Sequence, residues 1–297
     1  MTKFVLKSAG INFYNFKEKE LVFLHFKSFI LLVSLVAGGS FSLMAQAVAP
    51  QTTPTKEEKK ENKSAKADAS KNVTAEQVAE SAIFIYGGLV GGREGLKQIR
   101  KTSVERGKIS VFNPDGTTEN ANYEMRILRG ESLDKERIRL DQEFPSSKIA
   151  MIYNDSKIIG VFNDSVFTLS ENASKSFQNQ IWRGLEALIR YKENGATITI
   201  NGREKYMGVE YYVLDLTDKE KRTTRFFISA KSFRVMWLEY TENDIKYTRK
   251  FSDYRYAQGT LVPYRSVLLA NGKQVEETTI LTVTYGQKVE DDIFQAS

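Results

Sequence analysis

Cysteine and histidine, the side chains that most often supply nucleophiles and acid–base groups, are nearly absent from this sequence. It has no cysteine, and its one histidine, His25, lies in a stretch that reads as an export signal. Thiol nucleophiles, disulfides and thiolate metal sites are thereby excluded. Once the signal is removed, so are Ser-His-Asp catalysis, imidazole acid–base work and nearly all zinc sites. Carboxylates remain. Asp291-Asp292 and Glu276-Glu277 are adjacent pairs, and two carboxylates can hydrolyse a glycosidic bond when both face one substrate. Neighbours on a strand point to opposite faces, so Glu276 and Glu277 do not converge. Asp291-Asp292 reads as a solvated turn. Gly87-Gly88 and Gly91-Gly92 have no strand before them and no Gly-Lys-Ser/Thr after them, which argues against a phosphate loop. The sequence predicts no enzyme, no metal site and no cofactor.

Charge adds a second exclusion. The net +6 of the whole chain falls to +3 beyond residue 47, with 38 basic and 35 acidic side chains interspersed. Nucleic-acid binding needs a clustered basic stripe, and none is present. The remaining chemistry is that of apolar and aromatic side chains, and the elements that position them decide what they bind.

The element that organises the chain is an amphipathic helix expected over Glu171–Lys192. Phe177, Ile181, Trp182, Leu185, Leu188 and Ile189 recur on one face. Ser170 is placed to cap its start and Gly195 to stop it in a left-handed conformation. Such a face either closes a core or lids a cavity for an apolar ligand.

Upstream, residues 1–47 read as a secretory signal with Lys3, Lys7, Lys17, Lys19 and Lys27, an apolar Phe29–Ala37, and Ala45-Gln46-Ala47 as the small-x-small cleavage site. An uncleaved anchor is the alternative, because Phe29–Ala47 is about long enough to span a bilayer. Residues 48–73 are rich in Pro, Thr, Ser, Lys and Glu and read as a disordered linker. One domain follows over 74–297. It opens with a capping box, Thr74-x-x-Gln77, stapled by Val73 and Val78. Val78, Ala82, Ile83, Tyr86 and Leu89 follow at helical spacing, then a glycine joint and a shorter helix with Leu96 and Ile99 inward.

From Thr102 onward strands alternate with short polar turns, six before the mid-chain helix and seven after it. Turns this short permit hairpins but no parallel crossovers, so the sheet is an antiparallel meander. Ala196–Ile200 is expected to end at an Asn201-Gly202 turn. In Ile245–Phe251, Ile245, Tyr247 and Phe251 oppose Lys246, Thr248 and Lys250, the pattern of one wet face. Glu210–Leu216 and Arg234–Tyr240 carry bulk on both faces, which predicts contact on both sides. The expected fold is α+β: a strongly curved antiparallel sheet, an unclosed β-barrel, with helices covering its concave face. A wide sheet with few plugging helices can enclose a cavity. Phe112, Met151, Phe162, Tyr212, Leu214 and Trp237 on strands, with Trp182, Leu185 and Ile189 on the helix, are the candidate liners.

The order of elements, with Leu96–Lys101 (LKQIRK), Gly208–Leu216 (GVEYYVLDL), Arg225–Ala230, Val235–Tyr240, Lys246–Tyr254, Leu261–Tyr264 (LVPY) and Val289–Phe294 (VEDDIF), resembles the outer-membrane lipoprotein-sorting (LolA/LolB-like) superfamily of periplasmic proteins. The resemblance spans Thr74 to Phe294. It implies an open antiparallel barrel whose helices lid an apolar cavity. It further implies a periplasmic, non-enzymatic carrier or binding protein for an acyl chain, lipid or lipidated protein, with an envelope sensor that binds a protein partner as the alternative.

Overall fold

The computed structural model describes residues 73–295. The expected signal and nearly all of the expected linker lie outside them. Helix α1 (Ala75–Gly87) starts on the expected capping box: the Gln77 amide donates to Thr74 Oγ1 at 3.2 Å and the Thr74 amide to Gln77 Oε1 at 2.9 Å. Val78, Ala79, Ala82, Ile83 and Tyr86 face a core and are fully buried, and Val73 packs against the same core. Leu89, expected on that face, is 70% exposed. The helix tightens into a 3-10 turn at Gly88–Val90, and the left-handed Gly91 then redirects the chain into α2 (Gly92–Ile99). That change of period rotates Leu89 outward.

Thirteen strands form one antiparallel sheet. The first meander is β1 (Thr102–Phe112), β2 (Thr118–Leu128), β3 (Arg137–Glu143), β4 (Lys148–Asn154), β5 (Lys157–Phe162) and β6 (Ser165–Phe167). The second is β7 (Thr197–Tyr206), β8 (Val209–Thr217), β9 (Thr223–Ser229), β10 (Val235–Glu242), β11 (Ile245–Ala257), β12 (Thr260–Ala270) and β13 (Lys273–Tyr285). Every strand pairs with its sequence neighbour inside its meander, and β1 pairs with β13 to join the two. Among the described residues β6 and β7 are the two ends of the sheet, so the barrel is open. β7 runs through Asn201-Gly202 rather than ending there. Gly202, at φ +87°, sits in a bulge between Ile200 and Arg203, and the hairpin turns at Met207-Gly208 instead.

The chain that leaves edge β6 and returns to edge β7 carries α3 (Glu171–Trp182) and α4 (Leu185–Ile189). The sequence predicts one helix here; the structure has two. Arg183 is drawn inward, 5% exposed. It donates to Asn179 Oδ1 at 2.8 Å, the Thr223 carbonyl at 2.9 Å and Glu242 Oε2 at 3.0 Å, and lies over the Tyr240 ring. Gly184 then extends, with ψ −178°. A Cβ on Gly184 would stand 2.7 Å from the Gln180 carbonyl oxygen, so a side chain does not fit that bend. Gly195, at φ +62°, ends the segment as expected, and Ser170 Oγ caps its start through the Ala173 amide.

Two cores lie beneath these helices. One packs α1 and α4 on β7–β12 around Leu214, Phe226, Ile228 and Leu238; the other packs α3 on β1–β4 around Ile109, Ile138, Leu140 and Phe177. On the other face of β8–β10, Tyr211, Val213 and Phe227 are buried by one another and by Met236 and Trp237. This accounts for the bulk on both faces of those strands: the outer side is covered by its own aromatics.

Candidate functional site

A cavity of about 270 Å³ lies where the two cores meet. Its floor is the sheet, with Ile109, Met125, Ile127, Leu140, Phe251 and Ile280; Phe177 and Ile181 of α3 and Leu185 of α4 form the roof. The break at Gly184, which also lines it, sets the roof's two halves at an angle over this space. A smaller void of about 70 Å³ continues under α3 past Met151.

The strand pattern puts three polar groups on the same wall. Glu105 shares its face of β1 with Gly107, Ile109 and Val111. Tyr123 of β2 is in register with Gly107 on one side and Gln142 of β3 on the other. Gly107 is what lets Tyr123 lie there, because a Cβ at 107 would stand 2.7 Å from the Tyr123 ring and 2.2 Å from the Thr279 carbonyl oxygen. The Tyr123 hydroxyl reaches diagonally and donates to Glu105 Oε1 at 2.7 Å. Gly107→Ala is expected to lower stability by about 1–3 kcal/mol by overpacking and to tilt the ring off Glu105. Thermal unfolding checks this, and an unchanged midpoint would contradict the close approach.

Glu105 is half-buried and lines the cavity. Burial pushes its carboxyl above the ordinary value, against the Tyr123 hydrogen bond and the Arg100 charge, with Glu186 adding to the rise. The folded state therefore holds a proton that the unfolded chain releases near pH 4.5, so this group's contribution to stability falls as pH rises from there through the raised value. Glu105→Gln, which has no charge to form, is expected to flatten that part of the melting-temperature profile. A profile with the same slope as the parent would locate the dependence elsewhere.

One end of the cavity is closed by an ion-pair chain. Glu186 Oε1 accepts from Arg100 Nη1 at 2.6 Å and Arg129 Nη2 at 3.1 Å; Glu136 Oε1 accepts from Arg129 Nη1 at 3.0 Å and from Arg190. Burial pushes the Glu186 carboxyl up, but Arg129, Arg100 and Arg190 outweigh it and hold it below the ordinary value. Glu186 belongs to α4 and Arg190 follows it, so the chain fastens the roof to the ends of β2 and β3. Beyond it lies an open cleft of about 480 Å³ between α2 and α4, with Arg129 and Glu186 in both walls. Arg249, which lines both the cavity and the smaller void, pairs with Glu276 at 3.1 Å.

Of the nine expected liners, Leu185 borders the main cavity, Met151 the smaller void and Ile189 the outer cleft. Tyr212 and Leu214 sit in the α1 core, and Trp182 is half-buried against the α3 core with Arg222 over its ring. Trp237 is on the outer face, stacked on Phe227. Phe112 follows Val111 and so points away from the cavity face, and Phe162 is half-buried near the end of β5. Sequence reasoning passed over Glu105, Tyr123, Gln142 and the Arg–Glu chain. Among the described residues no helix is long and apolar enough to cross a membrane, and no cluster of metal-ligating side chains occurs.

No protein-family model matches the sequence, and a search of curated proteins finds no relative. Solved structures do match. A DUF1329 family protein from Desulfovibrio piger is 11% identical, with a TM-score of 0.54 over 74% of this chain and 97% of that one. A LolA superfamily protein from Nitrosomonas europaea is 15% identical, with a TM-score of 0.52 over 75% of this chain and 98% of that one. The open antiparallel barrel roofed by the segment that joins its two edges is a LolA-like fold.

Proposed function

We propose that this protein is an exported, periplasmic, non-enzymatic carrier or binding protein that holds the acyl chain of a lipid or lipidated protein under α3 and α4. The observation that carries this reading is the apolar cavity of about 270 Å³ between the two cores, roofed by two short helices rather than one continuous one. Its size is near the lower end of ligand sites, about 300–1,000 Å³, which suits one chain. Burying about ten methylenes is worth about 8 kcal/mol, the free energy of a Kd of about 1 µM. Such binding needs no specific polar contact and no reactive group.

The test is native mass spectrometry of protein recovered without detergent from cells expressing the full-length gene in a bacterial envelope, followed by lipid extraction. One acyl species per chain is expected, lost in Leu185→Ser and Ile181→Ser. A folded protein that is empty and also fails to take up a fluorescent fatty acid would sink the reading. A second reading, an envelope sensor that binds a protein partner, draws on the outer-face aromatics: Trp237 packs against Tyr206, Tyr211 and Phe227, and Tyr206 and Met207 are exposed at the hairpin tip. Pull-down with the intact envelope fraction, compared with Trp237→Ala, tests it.

A further inference from the structure

The wall formed by Glu105, Tyr123 and Gln142 is more polar than an acyl chain requires. Gln142 is 2% exposed, lines the cavity, and its side-chain oxygen has no hydrogen-bond partner. A buried amide without a partner is costly and rare. Glu105 Oε1 takes the Tyr123 hydroxyl, and no bond to Oε2 occurs among the described residues. Every other charge on the wall is already answered: Arg249 by Glu276, and Arg129 by Glu136 and Glu186. An anionic head group would find no free cation here, and it would lie beside a carboxyl. Glu105 and Gln142 stand two strands apart. With strands spaced about 4.8 Å and residues about 3.4 Å apart along them, the two-residue offset of Glu105 from Gly107, which is in line with Tyr123 and Gln142, puts their backbones roughly 12 Å apart, while both side chains line one cavity. A head group that meets both must carry at least two hydrogen-bonding atoms.

From this geometry we infer that the occupant is a single-chain amphiphile with an uncharged head of hydroxyl or amide groups, as in a monoacylglycerol, seated between Glu105 and Gln142 with its chain under Ile181 and Leu185. The inference rests on the acyl-binding reading above and names the head that reading leaves open. A hydroxyl or amide supplies the donor that the Gln142 oxygen lacks and meets the free Glu105 oxygen. Burial favours the protonated carboxyl at Glu105, and a protonated carboxyl can donate as well as accept.

The experiment is displacement of the fluorophore N-phenyl-1-naphthylamine from the protein recovered from the full-length gene. The competitors share twelve carbons: 1-dodecanoylglycerol, dodecyl methyl ether, dodecanoate and dodecyltrimethylammonium. The glycerol ester is expected to displace at least tenfold more tightly than the ether and both ions. Gln142→Leu should remove most of that preference while leaving the ether's displacement as it was. Tyr123→Phe, which keeps the ring over Gly107, is expected to narrow the preference and serves if Gln142→Leu does not fold. Equal displacement by all four would overturn the head-group assignment and leave acyl binding standing. Tightest displacement by the ammonium, lost in Glu105→Gln, would overturn it in favour of a cationic head. No displacement of a bound fluorophore by any of them would overturn both.

Discussion

Replacing Glu136 with leucine is expected to cost the fold about 3–5 kcal/mol, the usual penalty for removing one partner of a buried ion pair. Glu136 is 1% exposed, and its Oε1 takes Arg129 and Arg190 together. Leucine fills similar space but takes away the carboxylate that Arg190 and Arg129 share, leaving two nearly buried guanidiniums with only Glu186, already paired with Arg100, to offset them. At roughly 2–4 °C of melting temperature per kcal/mol for a domain of this size, the midpoint should fall by about 6–20 °C. Glu136→Gln keeps an acceptor oxygen and should fall by less. The loss should also be local first. Arg190 follows α4 and the Glu186 pairs hold α4 itself, so amide exchange over 185–195 is expected to speed up before the strands respond. A midpoint within 2 °C of the parent, with α4 exchange unchanged, would mean that packing alone holds the roof.

How far the sequence discloses this arrangement depends on which signal each element carries. Short turns with Asn, Asp and Gly mark hairpin ends one by one, so the strands, their number and their antiparallel order are all readable, and the LolA-like order follows. The α1 start is readable because Thr74 and Gln77 form a local hydrogen-bond pair. Two elements are not readable from local pattern. The apolar stripe of Glu171–Lys192 continues through Arg183-Gly184, and the helix breaks there where Arg183 turns inward to Thr223, Glu242 and Tyr240 and Gly184 extends. Asn201-Gly202 has the chemistry of a turn and is used as a bulge, because the pairing of β7 with β8 resumes at Arg203.

The cavity was less legible than the sheet for a related reason. Hydrophobic periodicity says which face is buried, not whether the buried space is filled. Tyr212 and Leu214 obey the same pattern as Ile109 and Leu140, yet the first pair is packed under α1 and the second borders open volume. The polar wall did leave a trace. In β1 the inward parity reads Glu105, Gly107, Ile109, Val111, and in β3 it reads Ile138, Leu140, Gln142. A carboxyl and an amide standing at core positions of two strands are departures from a two-residue period, and such departures collect at functional sites. Their meeting across Tyr123 required the register, which is set by pairing over the whole meander.

Filling that volume should separate a binding cavity from a packing fault. Met125 lies on β2 between Glu105 and Leu140 in register and borders the open space. Methionine adapts to irregular gaps, so its exchange for tryptophan extends a ring into the cavity without asking the backbone to move. If the ring displaces about three methylenes of a bound chain, at about 0.8 kcal/mol each, acyl affinity drops by about 50-fold. Stability moves the other way, since removing empty volume recovers about 24 cal/mol per Å³. The expected signature of Met125→Trp is therefore a protein that melts at or above the parent temperature and from which each twelve-carbon competitor displaces the fluorophore only at about 50-fold higher concentration. A variant that melts lower and binds as before would show that the chain lies elsewhere, because only a site sharing the Met125 volume couples the two readouts in opposite directions.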